Sequence, residues 1–231
     1  MNKQIVIFSC NFGNYDKVRD PFFIDSNVSY ILFSDRPQPH LKCWKTKIIS
    51  LLELNSDPQR AARYIKLNPH LFLPKGHKIS VWVDSCYQIK VFNFISFINQ
   101  NLRDKDICLF RHPKRNCVYE EIDVCNKKKL DYSIKFQQQK EEYLKEGLPY
   151  NFGLYHTAVL VRRNNKEIEN FNKLWWKELN IYSKRDQISF SYCLWKFNFI
   201  PNIIKDNFGV NLYTSNQFRK FKHIKNRVVY D

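Results

Sequence analysis

The chain has 231 residues, 44% of them hydrophobic and 16% aromatic, which is enough to bury the core of one α/β domain. Its net charge of +16, from 38 Lys and Arg against 22 acidic residues, points to anionic partners: nucleotides, nucleic acid, acidic glycans or anionic lipid. Five glycines, with neither G-x-x-x-x-G-K-[ST] nor G-x-G-x-x-G among them, exclude a P-loop and a glycine-rich dinucleotide fingerprint, and no apolar run reaches the ~18 residues of a membrane span.

Gln4 to Ser9 predicts a first strand that starts almost at the terminus. With no leader before it, and seven scattered cysteines that form no C-x-x-C pair, the expectation is free thiols in a reducing cytoplasm. The loop from Cys10 to Asp16 carries Gly13 and Asn14, residues suited to a turn. Ser29 to Phe33 reads as a second strand, ended by Ser34-Asp35-Arg36-Pro37, and Cys43 to Ile49 as a third. Asp57-Pro58 opens a helix, with Asp57 as cap and Pro58 in the first turn, and Pro69 closes it after Leu67. On that helix Arg60, Arg63 and Lys66 fall within an arc of about 120°. Three such cations make either a solvated face or a clamp for a diphosphate, since guanidinium forks match phosphate oxygens.

Ile79 to Val83 is an apolar run of the kind found inside a parallel sheet, with both faces covered. It delivers Asp84 to the carboxyl end of the strand, where open α/β sheets bind ligands. There Asp84 either caps the next turn or holds a divalent metal that in turn holds a phosphate. Val91 to Asn101 predicts an apolar helix, and Ile107 to Phe110 a strand leading to the basic loop Arg111-His112-Pro113-Lys114-Arg115. Residues 118–146 are polar and helical in pattern and are expected as a peripheral insertion; they carry Glu120, Glu121 and Asp123. Thr157 to Val161 is another buried strand, Asn165 to Leu179 an amphipathic helix, and Arg185-Asp186-Gln187 a helix start where Asp186 reads first as a cap. The tail, 217–231, sets Arg219, Lys220, Lys222, Lys225 and Arg227 around His223, a composition that fits an anionic membrane surface or closure over a phosphate. There is no repeat and no linker, so the expectation is one domain over 1–231.

Several blocks, taken in order, resemble one family. They are Asn11-x-Gly13-x-Tyr15-Asp16, Phe33-Ser34-Asp35, Arg60-Ala61-Ala62-Arg63-Tyr64-Ile65-Lys66 with Asn68-Pro69-His70, and Val81-Trp82-Val83-Asp84. The later ones are His112-x-x-Arg115-x-Cys117-x-Tyr119-Glu120-Glu121, Gly153-Leu154-Tyr155-His156, and Arg185-Asp186-Gln187-Ile188-Ser189-Phe190-x-Tyr192. Together, over about Ser9 to Trp195, they resemble the glycosyltransferase-like family named after a plant turgor-regulation-defect protein and a plant mucilage-related protein. The resemblance implies an α/β, GT-A type fold, with a Rossmann-like, mostly parallel sheet flanked by helices. It implies transfer of a sugar from a nucleotide-sugar donor, uridine diphosphate-linked, to a glycan or lipid-linked acceptor in surface polysaccharide synthesis, in the cytoplasm or on the inner membrane face.

On that reading Phe12, Tyr15 and Asp35 meet the nucleoside, and Arg60, Arg63 and Lys66 the diphosphate. A divalent metal, manganese or magnesium, is implied on Asp84. The usual D-x-D reads Asp84-Ser85-Cys86 here, so the second acid is missing and His223 is the expected distant ligand. If the reaction inverts, Asp186, or second Glu121, is the expected base; His112, Arg115 and His156 line the acceptor side. Two other readings stay open: a nucleic-acid-binding module, disfavoured because the aromatics lie mostly in apolar runs, and a hydrolase on the same scaffold.

Overall fold

The computed structural model describes residues 3–54, 56–205, 209 and 211–225. Arg227, counted above among the tail cations, lies outside them. A seven-stranded sheet forms the middle of the molecule. Four strands are parallel: β1 (Ile5–Asn11), β2 (Val28–Ser34), β3 (Lys45–Ile48) and β4 (Ile79–Val83), in the order β3-β2-β1-β4. The sheet then continues through β7 (Tyr155–Arg163), antiparallel to β4, to β6 (Ile107–Arg111), antiparallel to β7, and ends on β8 (Asn202–Ile203), parallel to β6. The fold is thus the mostly parallel, Rossmann-like α/β architecture expected of a GT-A type domain.

The helices are α1 (Pro58–Leu67), the short α2 (Pro69–Phe72), α3 (Phe94–Asn101), α4 (Val118–Lys127), α5 (Ser133–Lys145), α6 (Lys166–Ile181) and α7 (Asp186–Lys196). The Asp57 carboxylate accepts the Gln59 and Arg60 amides at 2.9 and 3.0 Å, so α1 begins where Asp-Pro predicts. The apolar run after Val91 turns helical only at Phe94, because Asn93 supplies the cap that accepts the Ser96 amide at 2.8 Å.

Strand alternation divides the core between the two faces of the sheet. Trp82 enters one core with Phe8, Phe33, Leu109 and Leu160, beneath α1, α6 and α7; Val81 and Val83 enter the other with Ile7, Leu32 and Val161, against Phe94 and Phe97 of α3. The segment expected as a peripheral insertion is helical but not peripheral. Tyr119, Ile122 and Cys125 of α4 and Phe136 and Tyr143 of α5 are buried in the first core, so its polar composition covers only the outer faces of two amphipathic helices. A second, two-stranded sheet pairs β5 (Tyr87–Ile89) with β9 (Phe218–Lys220) and draws the basic tail back onto the turn that follows β4. Among the described residues no helix is long and apolar enough to cross a membrane.

This topology collects the candidate residues. β1, β2, β4 and β6 all run the same way, so Asn11, Ser34, Val83 and Arg111 end at one edge; β7 runs against them and starts there, with Tyr155, His156 and Thr157. A register shift between Leu109 and Phe110 bends this stretch of β6 against β7 near His156.

Candidate active site

Two clusters sit at that edge, joined through Asp84. In the first, Lys66, from the last turn of α1, is fully buried, and its Nζ lies 2.5 Å from Asp186 Oδ2 and 3.9 Å from Asp84 Oδ1. Arg63 Nε is 3.3 Å from the same Asp186 oxygen, and the Thr157 hydroxyl donates to it at 3.0 Å. Burial by itself would raise the Asp186 carboxyl, but Arg63 and Lys66 outweigh it and hold the group well below the usual carboxylate range. Arg162, also fully buried, donates to the Lys66 carbonyl at 2.8 Å and to Asn172 Oδ1 at 2.8 Å, fixing the end of α1 against α6. Asp84 itself is half-open. Its Oδ1 accepts the Trp82 indole N–H at 2.6 Å, and its Oδ2 has no partner among the described residues.

The second cluster comes from three separate segments. Asp16 lies in the loop after β1, where its amide donates to Asn11 Oδ1 at 3.0 Å and its carbonyl accepts from Asn11 Nδ2 at 2.8 Å. Its carboxylate accepts the Ser85 hydroxyl at 2.5 Å and faces His223 Nδ1 at 2.7 Å. Cys86 ends the turn after Asp84, and its carbonyl accepts the Phe221 amide at 2.8 Å, which pins the tail. One ligand atom each of Asp16, Cys86 and His223 lie within 4.8 Å of one another. Burial, with Asp84 and Asp16 nearby, pushes the Cys86 thiol far up.

The other expected residues are placed as follows. Phe12 is buried in the core, so its ring is not open for stacking on a base. Tyr15 packs on the His223 ring, with centroids 4.8 Å apart. Both Asp35 oxygens accept the Gly13 amide at 3.2 Å, so Asp35 shapes the first loop; Gly13 adopts φ +64°, where a side chain is strained, and its carbonyl accepts Lys225 Nζ at 2.5 Å. Arg60 turns away to Asn180 Oδ1 at 2.9 Å. The expected row of three cations is therefore divided: Arg60 braces α6, Lys66 neutralises Asp186, and Arg63 stays partly open. Glu121 is buried and engaged by Arg115 at 2.5 Å, with His112 Nε2 at 3.8 Å. His112 Nδ1 accepts the Arg115 amide at 3.1 Å, which leaves the ring proton on Nε2; burial, opposed by Glu121, lowers its pKa. His156 is 8% exposed with Nδ1 unpartnered among the described residues, and burial, with charge on His112 adding to it, brings it down to about 3, a neutral ring at pH 7.

Three members of the site escaped the sequence: Asp16, Cys86 and Thr157. Asp16 stood in the quoted loop and Cys86 at the place of the second D-x-D acid, so both carried a signal. Thr157 carried none, since nothing local marks a hydroxyl aimed at a residue 29 positions away.

A family profile described as TOD1/MUCI70, glycosyltransferase-like domain, matches residues 1–226. The chain belongs to that family. Two proteins of Arabidopsis thaliana are similar to it: alkaline ceramidase TOD1, 24% identical over 90% of this chain and 52% of its own length, and probable hexosyltransferase MUCI70, 24% identical over 95% of this chain and 41% of its own. The chain thus spans about half the length, or less, of these curated relatives.

Glycosyltransferase-like domains of this fold commonly carry a divalent metal, and this TOD1/MUCI70 chain has donors that fit one. They are not the expected pair. His223 meets Asp16 and Cys86, while Asp84 is held by Trp82 and faces Lys66. An acid, a thiol and an imidazole from three segments are a chemically competent donor set.

Proposed function

We propose that this chain is a glycosyltransferase that moves a hexose from a uridine diphosphate sugar to a glycan or lipid-linked acceptor. The observation that carries this reading is the convergence of Asp84, the Asp16–Cys86–His223 donors, partly open Arg63 and the basic tail strand on one carboxyl edge. Edges of this kind bind nucleotides in open α/β sheets. Family membership and the name of MUCI70 support it further.

In this reading the nucleoside lies over the ends of β1 and β2, near Tyr15 and the Gly13 loop that Asp35 holds. The diphosphate lies between Arg63, Lys220 and Lys225, and these cations stabilise the departing nucleoside diphosphate. A divalent metal on Asp16, Cys86 and His223, when bound, supplies further positive charge against the same leaving group. The acceptor enters beside His112, Arg115 and His156.

Neither Asp186 nor Glu121 is free to take a proton in this arrangement, since each is held by Arg or Lys. We therefore assign Asp186 the role of positioning Lys66 and Arg63. Among the described residues the acceptor side offers the neutral ring of His156, which burial makes a weak base, so the reading favours retention. The bond from the anomeric carbon to the diphosphate breaks as the bond to the acceptor oxygen forms on the same face, and the acceptor proton passes to the departing phosphate oxygen. The cytoplasm is the proposed compartment, with Arg219 and Lys222 meeting the anionic inner face of the membrane.

A hydrolase is the second reading, favoured by one observation, the name of the ceramidase relative. Thermal-shift screening of the chain against nucleoside diphosphates and their sugars, with divalent metals, separates the two. Uridine diphosphate is expected to raise Tm, and the transferred sugar to keep its anomeric configuration by proton NMR. No response to any nucleotide, together with release of fatty acid from ceramide, would overturn the transferase in favour of the hydrolase.

A further inference from the structure

A D-x-D motif places two carboxylates on a metal, and all-oxygen sets of that kind suit the hard cations magnesium and manganese. This chain has Cys86 where the second acid would stand, and the structure gathers other donors around that thiol. It brings Asp16 from the loop after β1 and His223 from the tail. Asp16 and Cys86 are each 4% exposed, so two of the three donors are almost fully withdrawn from water. Each donor is held from outside the cluster: Asp16 through both bonds to Asn11 and the Ser85 hydroxyl, Cys86 through its carbonyl to Phe221, and His223 through Ile224, whose amide donates to the Tyr15 carbonyl at 3.2 Å. Sulfur, nitrogen and oxygen together form a borderline-soft set, which zinc and cobalt accept and magnesium refuses.

We propose that the edge of this sheet holds a thiophilic divalent cation, of the zinc class, through Asp16, Cys86 and His223, and not the manganese or magnesium that an intact D-x-D would select. The cation takes the place of the hydrogen bond between His223 Nδ1 and Asp16 Oδ1, and Cys86 binds it as the thiolate, its proton passing to solvent. Three protein donors leave a tetrahedral ion one position for an outside ligand, which is the pattern of a catalytic site and not of a closed structural one. On the transferase reading, that ligand is a diphosphate oxygen.

The test uses the full chain, freed of metal by chelation and titrated with cobalt. The expected result is a sulfur-to-cobalt charge-transfer band in the near ultraviolet that saturates at one equivalent, persists in Cys43→Ser and is lost in Cys86→Ser. Zinc is expected to abolish the band at stoichiometric amounts, while manganese and magnesium leave it in place at about 100-fold excess. Far-ultraviolet circular dichroism checks that Cys86→Ser is folded. Cys86→Asp gives an independent reading, because restoring the acid should turn the preference toward manganese. Cobalt bound without a thiolate band, a band that survives in folded Cys86→Ser, equal displacement by manganese, or no metal bound at all would each overturn the proposal. None of these readouts involves a nucleotide, so their failure leaves the transferase reading standing, and a failed nucleotide screen leaves them interpretable.

Discussion

The two clusters at the carboxyl edge lie side by side and are built on opposite principles. Around Asp186 every charge has its answer inside the protein: Lys66, Arg63 and Thr157 converge on one oxygen, and Arg162 fixes the backbone that carries Lys66. Around Asp16 the partners are a thiol, an imidazole and a hydroxyl, groups that can be exchanged for an ion. A buried charge paired at home is an anchor, and its removal strands its partner. A buried donor set that no Lys or Arg ion-pairs among the described residues is, on our proposal, a place to bind a cation. Asp84 stands between them, with one oxygen toward the anchor and the other without a partner among the described residues. Burial of an acid does not by itself say whether it works for the fold or for a ligand; the company of Lys or Arg decides.

The sharpest way to break this contrast is to cut the anchor. Lys66→Met leaves Asp186 buried with Arg63 and the Thr157 hydroxyl and is expected to cost about 3–5 kcal/mol of stability in urea unfolding. The double change Lys66→Met with Asp186→Leu, which removes both charges, should recover most of that loss. If the double variant is as unstable as the single one, the pair is not the self-contained unit described. Next in size is Asp84→Asn. It keeps an oxygen for the Trp82 indole, so stability is expected to change by less than about 1 kcal/mol, while sugar transfer falls at least about 100-fold. Retained transfer would remove Asp84 from the chemistry.

How much of this was legible beforehand follows the range of the interactions. The strands and their ends are local features: an apolar run such as Ile79 to Val83, or Asp57-Pro58 at a helix start, carries its own instruction, and the fold followed from these and the family resemblance. Gathering Asp35, Asp84, His112 and His156 at one edge needed only the direction of the strands. What sequence could not supply is pairing at a distance. Lys66 and Asp186 are 120 positions apart, and three cations spaced along a helix look the same whether they face solvent or a buried acid. His223 reaches Asp16 across 207 positions only because β9 pairs with β5, and both strands are three residues long, too short to give a period-2 signal. The misjudged α4–α5 segment has the same cause. Its polar composition is real, but Phe136 and Tyr143 lie on the one face that turns inward.

Two smaller effects are expected away from these clusters. His156 is buried without a charged partner of opposite sign as its main influence, and burial holds it at about 3, against 6.5 in the unfolded chain. Its folded pKa is depressed, so the unfolded chain binds the extra proton: stability is full above about pH 6.5 and falls as pH drops toward 3, by about 2 kcal/mol at pH 5. His156→Gln should remove that component, measured as a flatter unfolding free energy between pH 7 and 5 at about the same urea slope. Arg60→Ala is the smallest. Its guanidinium makes an exposed bond to Asn180 Oδ1, away from Asp186, so the expected change in stability is within about 0.5 kcal/mol. The donor KM is expected to stay within about twofold of the parent, whereas Arg63→Ala, which removes a cation we place on the diphosphate, raises it by about tenfold. The two arginines sit one turn apart on the same helix, so this pair of measurements asks whether proximity to the Asp186 anchor, and not position on a basic stripe, is what brings a cation to the diphosphate.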